Sequence, residues 1–245
     1  MKVARLDQQR IPRHIAIIMD GNSRWARLHG VSRAAGHEAG AKSVRAVIEA
    51  CRELGKVEAL TLYAFSTENW RRSKTEISTL FRLLSKYIAL ELEEIHQQDI
   101  RIRAIGRLDA LPSKARQDLE YAMERTAANK SMTVLVALNY GARAEIVDAS
   151  RKIAEEVQAG RLTPQQIDEN VFSQYLYEPR FPDVDLLIRT SGEMRISNFM
   201  LWQLSYAEIY VTPTLWPDFR KEHLYEAIAE FQSRQRRFGG RTRSK

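Results

Sequence analysis

Six short runs rich in β-branched and aliphatic residues, at 14–19, 59–65, 101–105, 132–138, 184–189 and 208–212, alternate with longer stretches of helical periodicity. The latter lie near 38–54, 76–98, 112–128, 142–158, 164–177 and 220–236. This alternation leaves a chain few choices. Each strand is carried back beside an earlier one through a crossover helix, so the expected fold is α/β, with a central, mostly parallel six-stranded sheet flanked by helices. No repeat, low-complexity block or linker divides the 245 residues. One domain over 1–245 is expected, its core at about 12–240, with a polar amino-terminal segment and a basic carboxy-terminal tail.

The stretch 76–98 is unusually apolar. Ile77, Leu80, Phe81, Leu84, Ile88, Leu92 and Ile95 follow the three-and-four spacing of one helix face, and Leu83, Tyr87 and Leu90 widen it. A helix in the centre of a core would show this pattern. So would a helix whose extra face lines an internal apolar tunnel.

Composition narrows the function classes. With 44% hydrophobic and 28% charged residues, the chain can fill a core and remain soluble. The richest apolar runs, 15–19 and 134–138, are strand-sized and far short of the roughly 18 residues needed to cross a bilayer. The first 13 residues are polar and lack the apolar stretch of a signal peptide. A single cysteine, Cys51, excludes an internal disulfide or a Cys-built zinc site and fits a reducing cytoplasm. The net charge of +7 suits nucleic acid, an anionic membrane surface or small phosphorylated substrates. Neither a Gly-x-Gly-x-x-Gly nor a Walker-type Gly-x-x-x-x-Gly-Lys-Ser/Thr is present, so dinucleotide and ATP binding lose their main support. The histidines His14, His29, His37, His96 and His223 have no zinc spacing, and no nucleophile elbow is found.

Ligands of an open α/β sheet gather beyond the carboxyl ends of its strands. Here those ends read Asp20-Gly21-Asn22-Ser23-Arg24-Trp25, Ser66-Thr67-Glu68-Asn69-Trp70-Arg71-Arg72, Asn139-Tyr140-Gly141 and Thr190-Ser191-Gly192-Glu193-Met194-Arg195-Ile196-Ser197. Gly21 permits close backbone approach, and Arg24, Arg33, Arg72, Arg189 and Arg195 carry planar forks suited to phosphate oxygens. A lone carboxylate, Asp20, among so many cations is either one half of an ion pair or a ligand of Mg²⁺, which takes one or two carboxylates plus substrate phosphates. Glu208 is a candidate second carboxylate.

Several blocks, in order, resemble the cis-prenyltransferases. They are His14-Ile15-Ala16-Ile17-Ile18-Met19-Asp20-Gly21-Asn22, Gly36-His37-Glu38-Ala39-Gly40, Leu60 to Trp70, Asp185 to Phe199, and Trp216-Pro217-Asp218-Phe219. The Asp-Asp-x-x-Asp pair of the trans enzymes is absent. The resemblance, closest to bacterial undecaprenyl diphosphate synthase, implies an enzyme that condenses isopentenyl diphosphate onto an allylic diphosphate such as farnesyl diphosphate. It implies a long polyprenyl diphosphate for the cell-wall (peptidoglycan) lipid carrier. It further implies Mg²⁺ as cofactor, a cytoplasmic homodimer with peripheral contact at the inner membrane face for product release, and no nucleic-acid partner.

Carried over by position, the resemblance makes Asp20 and Asn69 catalytic, and Asp20 and Glu208 metal-linked. Gly21, Asn22, Ser23, Arg24, Trp25, Arg33 and His37 would surround the allylic diphosphate; Arg189, Arg195 and Ser197 the isopentenyl diphosphate. Ser66, Thr67, Glu68, Asn69, Trp70 and Arg72 match a loop that closes over substrates, and Arg237 and Gly239 an element reaching across a dimer interface. Leu84, Ile88, Met132 and Leu135 are expected to line the tunnel. Two departures from the family's pattern stand out: Ser23 and, as the milder, Ser191, each where glycine is usual. A non-catalytic partner subunit would lack most of these positions. A nucleic-acid-binding domain would show a reader motif, and a Rossmann oxidoreductase its glycine fingerprint.

Overall fold

All six strands form in the computed structural model, which describes residues 6–235. They are β1 (His14–Ile18), β2 (Ala59–Ser66), β3 (Ile100–Ile105), β4 (Met132–Tyr140), β5 (Leu186–Arg189) and β6 (Glu208–Val211). The sheet order is β3-β4-β2-β1-β5-β6, and every neighbouring pair is parallel. All carboxyl ends therefore lie along one edge. The interior strands are apolar on both faces, as a doubly covered parallel sheet requires. The edge strand β3 instead alternates in Arg101 and Arg103, which blunts that edge.

The helices are α1 (Asn22–Leu28), α2 (Arg33–Leu54), α3 (Lys74–Gln97), α4 (Ser113–Arg125), α5 (Ala142–Gln158), α6 (Glu169–Ser173) and α7 (Lys221–Ser233). Strand alternation sorts the core into two layers. Ile15, Ile17, Leu60 and Leu62 pack with Val47 and Ile48 of α2 and Leu224 and Ile228 of α7. Ala16, Ile18 and Leu187 point the other way, onto Ala142 of α5, Phe199 and Met200. Leu6 and Ile11, ahead of β1, are also buried in the first layer.

Three differences from the sequence expectation have local causes. α2 starts at Arg33 rather than near 38, because the Ser32 hydroxyl accepts from the Ala35 N–H at 3.2 Å. The segment after β1 is a short helix, α1. The helix expected over 164–177 is broken. Thr163 and Gln166 close a 3-10 turn over Pro164–Gln166, Ile167 is extended, and Asp168 caps the five-residue α6 by accepting from Val171 N at 2.8 Å. Two side-chain caps within six positions compete with a continuous helix and win.

β2 and β4 carry a compensated pair of bulges. Tyr63 lies opposite Ala137, Phe65 opposite Leu138 and Ser66 opposite Tyr140, so Ala64 is extra on β2 and Asn139, at φ 46°, is extra on β4. The first bulge turns Phe65 onto the same face as Ala64, where it packs with Phe81 of α3 and Leu138. Among the described residues no helix is long and apolar enough to cross a membrane.

Candidate active site

A cavity of about 1200 Å³ opens at the carboxyl edge of the sheet and runs down between β2, β4 and the helices α2 and α3. Its mouth collects the polar residues that the strand ends supplied. Asp20 to Arg24 come from the β1–α1 junction, Arg33 and His37 from α2, Ser66, Glu68, Asn69 and Arg72 from the end of β2, and Arg189 and Ser197 from β5 and its loop. Gly21 caps α1 in the left-handed region at φ 108°, and a Cβ there would press on Leu215 at 3.0 Å and Ser191 at 3.1 Å. At Gly40 a Cβ would collide with the Asn22 amide oxygen and the Trp216 ring, so only glycine lets α2 close against α1.

Each of the five candidate phosphate-binding arginines is held by a carboxylate. Arg189 donates to Asp20 Oδ2 at 2.8 Å and to Ser197 Oγ at 2.7 Å, and also to the Arg195 carbonyl. Arg24 and Arg195 share Glu193, at 2.9 and 2.7 Å. Arg33 and Arg72 share Glu76, both at 3.1 Å. Three acids against five guanidinium groups leave the cluster positive. A diphosphate entering here exchanges with internal anions rather than meeting bare arginines.

His37 lies beside the Arg33–Glu76–Arg72 group. Burial first, then the Arg72 and Arg33 charges, lower its pKa to about 4 against the opposing effect of Glu76. It is neutral at pH 7, and among the described residues its buried Nε2 has no partner, nor does Asn22 Oδ1. Buried polar atoms without partners are uncommon and here face the place a polar ligand would fill.

Asn69 is positioned by a reciprocal cap: its side-chain oxygen accepts from Ser66 N at 3.1 Å within the 3-10 turn Thr67–Arg71. Four of the described residues expected to bind substrate lie outside the cavity lining. Trp25 donates to Asp218 at 2.8 Å and stacks on His29, anchoring α1. Trp70 donates to Asn139 at 2.7 Å and packs on Phe65 and Phe81, forming a wall. Thr67 donates to Glu68, and Arg195 projects outward on Glu193.

Glu208 is a correction. It opens β6 at the amino edge of the sheet, opposite Leu186, and accepts from Arg234 at 2.9 Å. Within one chain it does not share a site with Asp20, because a parallel strand separates its two ends by its full length. Among the described residues no group of three His, Cys, Asp or Glu side chains could hold a metal ion. Arg237 and Gly239 lie outside the described residues.

The departures also rank differently from the sequence expectation. Ser23 is the second residue of α1 and needs no unusual backbone. Ser191 is at φ 72°, in a run with Gly192, Ser197, Asn198 and Met200 that also has positive φ. Each non-glycine member costs about 1 kcal/mol or more. Ser191 N on the Thr214 carbonyl and Ala142 N on the Asn198 carbonyl, at 2.9 and 2.8 Å, hold the run in place.

Beyond the mouth the lining turns apolar. Of the α3 face only Phe81 and Leu92 are fully buried; Leu80, Leu83, Leu84 and Tyr87 border the cavity. A further apolar space of about 210 Å³ continues past Met19, Ala64, Leu84 and Tyr87, which border both, to Ile88, Val134 and Val136. Leu84 and Ile88 border this apolar space, whereas of the two strand residues expected with them neither Met132 nor Leu135 does. Alternation gives the tunnel face to Val134 and Val136, while Leu135 faces the α5 layer. Met132 packs in the solid core with Ile100 and Val47, and Leu90 is 62% exposed on the outer side of α3.

Sequence reasoning missed Glu76 and Glu193 as partners of the arginines. Ser73-x-x-Glu76 is legible as a helix start, and Glu76 N does bond Ser73 Oγ at 3.3 Å. That Glu76 reaches Arg33, 43 positions away, is a property of the fold alone.

The profile of a protein family described as putative undecaprenyl diphosphate synthase matches residues 18–239. An isoprenyl transferase of Heliobacterium mobile is 53% identical over 236 residues, covering 96% of this chain and 90% of the relative. One of Bacillus subtilis is 49% identical over 230 residues, 94% of this chain and 88% of the relative. Among solved structures, lavandulyl diphosphate synthase from Lavandula x intermedia in complex with dimethylallyl diphosphate gives a TM-score of 0.92 at 41% identity, over 94% of this chain and 99% of that one. A probable undecaprenyl diphosphate synthase from Campylobacter jejuni gives 0.78 at 37% identity, over 93% and 98%.

Proposed function

The chain belongs to the cis-prenyltransferase family, and from that premise we propose that it extends farnesyl diphosphate with successive isopentenyl diphosphates to a long polyprenyl diphosphate of the undecaprenyl class. Condensation of isopentenyl diphosphate onto an allylic diphosphate is the family's reaction, and the chain is a prenyltransferase. The observation that carries the longer-product reading is the cavity itself: a polar, arginine-rich mouth that continues into an apolar space between α3 and the sheet. Burial of each five-carbon unit is worth about 3–4 kcal/mol at ~0.8 kcal/mol per CH₂-sized group. A growing tail is therefore driven inward while both diphosphates stay at the mouth.

In this reading Arg24, Arg33 and Arg72 bind the allylic diphosphate, and Arg189, Ser197 and, once turned inward from Glu193, Arg195 the isopentenyl diphosphate. Two fixed head groups supply the orientation between C1 of the allyl group and the homoallylic double bond. The guanidinium groups stabilise negative charge as the C1–O bond lengthens. Neutral His37, with Nε2 unpartnered, is placed to hydrogen-bond a phosphate oxygen, and Asn69 to orient the reacting head group. The proton lost after bond formation passes to the released diphosphate. Asp20 fits a hard divalent ion: Oδ2 is on Arg189 and Oδ1 has no hydrogen-bond partner among the described residues, the donor set of an ion that takes its other ligands from phosphate and water. When bound, Mg²⁺ would neutralise charge on the departing diphosphate. The remaining assignments are a homodimer, peripheral membrane contact during product release, and use of the product as the cell-wall (peptidoglycan) lipid carrier.

Incubation with farnesyl diphosphate, labelled isopentenyl diphosphate and Mg²⁺, followed by sizing of the products, tests this. Long products are expected, and Asp20→Asn should lower turnover by about 10²-fold or more. That variant keeps an acceptor for Arg189, so its unfolding midpoint should stay within a few degrees, about 1 kcal/mol or less. Wild-type turnover in Asp20→Asn would sink the assignment of that residue. Products of only two or three units would sink the chain-length reading.

A further inference from the structure

The apolar space between α2 and α3 is closed from the side by charge. Its lining changes character where Arg45 and Glu49 of α2 meet Glu91 and Glu94 of α3. One guanidinium serves three carboxylates: Nε to Glu49 at 2.9 Å, one terminal nitrogen to Glu91 at 3.4 Å and the other to Glu94 at 2.5 Å. The Arg45 stem lies along the apolar wall, and its side chain is 47% exposed, so the head group sits at the surface. Nearer the mouth a second rung joins the same helices, with Lys86 on Glu38 at 2.5 Å and the Tyr87 hydroxyl on the Glu38 carbonyl at 3.1 Å. Between the rungs the seam is apolar on both sides, lined by Ala41 and Val44 of α2 and Ile88 of α3.

We propose that Arg45 is a specificity-determining latch: it closes a side port between α2 and α3 through which the tail of a product that outgrows the cavity leaves, and so limits product length. The inference rests on the elongation reading. Its physics is a sum of two costs. An exposed ion-pair cluster is weak and contributes little to holding two helices together. A tail that outgrows the cavity must part the latch at the same point at which it gives up enclosed burial, so even this small cost adds to the barrier at one product length. Elongation then slows at the length where the tail first has to part Arg45 from Glu91 and Glu94. A seam of purely apolar side chains would have no such threshold, because it would repack around the tail continuously.

Two variants of the intact chain test this in opposite directions. Arg45→Met keeps the stem and removes the latch. Arg45→Cys with Glu91→Cys, joined by a short bis-maleimide, locks the port; the single native thiol, Cys51, is fully buried and does not compete. Products are sized with farnesyl diphosphate and labelled isopentenyl diphosphate, and total label incorporated is recorded separately. Arg45→Met should raise the fraction of product longer than the main wild-type species by about two- to fivefold, the factor that corresponds to one exposed ion-pair cluster. The cross-linked protein should shift to shorter products, and the same double variant without cross-linker should resemble Arg45→Met. Unchanged product lengths in either variant, with label still incorporated, would overturn the latch and leave the elongation reading standing. No incorporation by the wild type would overturn both.

Discussion

Arg189 shows how one residue serves two demands. Its side chain is 5% exposed while that of Asp20 is 35% exposed, so the pair spans from the buried end of β5 to the open mouth. Composition alone allows Asp20 to be either a local ion-pair member or a metal ligand, and the geometry makes it one of these with Oδ2 and leaves Oδ1 for the other. His37 carries a pH dependence whose sign follows from its burial. An unfolded histidine titrates near 6.5, whereas folded His37 is lowered to about 4. Between those values the unfolded chain binds more protons, so this group's contribution destabilises the fold as pH falls from about 6.5 towards 4. His37→Gln should remove at most about 2 kcal/mol of the stability lost between pH 7 and pH 5. Urea midpoints of both proteins at the two pH values provide the measurement, and parallel slopes would contradict the assignment.

The elements show where pattern suffices and where it fails. The apolar periodicity of α3 identified Leu84 and Ile88 as cavity residues, because a helix face is set by spacing alone. The strand opposite was misassigned by one residue: Leu135 is as apolar as Val134 and Val136, and a continuous apolar run does not show which parity faces which layer. The distinction is measurable. Leu84→Ala widens the constriction shared by the two parts of the cavity and should shift products to greater length. Leu135→Ala should cost about 2–5 kcal/mol of stability, as buried leucine deletions do, with product lengths unchanged. A length shift in Leu135→Ala would place that side chain on the tunnel after all. The broken helix at 164–177 failed for a related reason. Its composition is helical, but Thr163 and Asp168 offer local caps whose competition with the helix is decided by geometry.

At the scale of the whole molecule, the ordered blocks made the sheet, its carboxyl edge and most of the mouth legible. What stayed hidden were pairings between distant segments, Glu76 with Arg33 and Glu208 with Arg234, since residue type does not encode a partner. The two sheet edges also differ. β3 is guarded by Arg101 and Arg103, whereas β6 exposes Ile209, with Leu201 and Tyr206 exposed nearby. An unguarded apolar edge favours coverage by a second copy. Light scattering should give twice the 28.3 kDa chain mass, and Ile209→Lys should shift the population to monomer. A monomer from the wild type would count against it. The bulges at Ala64 and Asn139 bear on how this chain can be spliced. Ala64 and Phe65 share one face, so losing Ala64 would return β2 to plain alternation with Phe65 still in its layer, and losing Asn139 would do the same for Tyr140 on β4. Removing both together would restore a plain ladder of unchanged register. Each site can therefore lose its extra residue without turning the rest of its strand over, and homologues are expected to differ in length by one residue here more readily than elsewhere in β2 or β4.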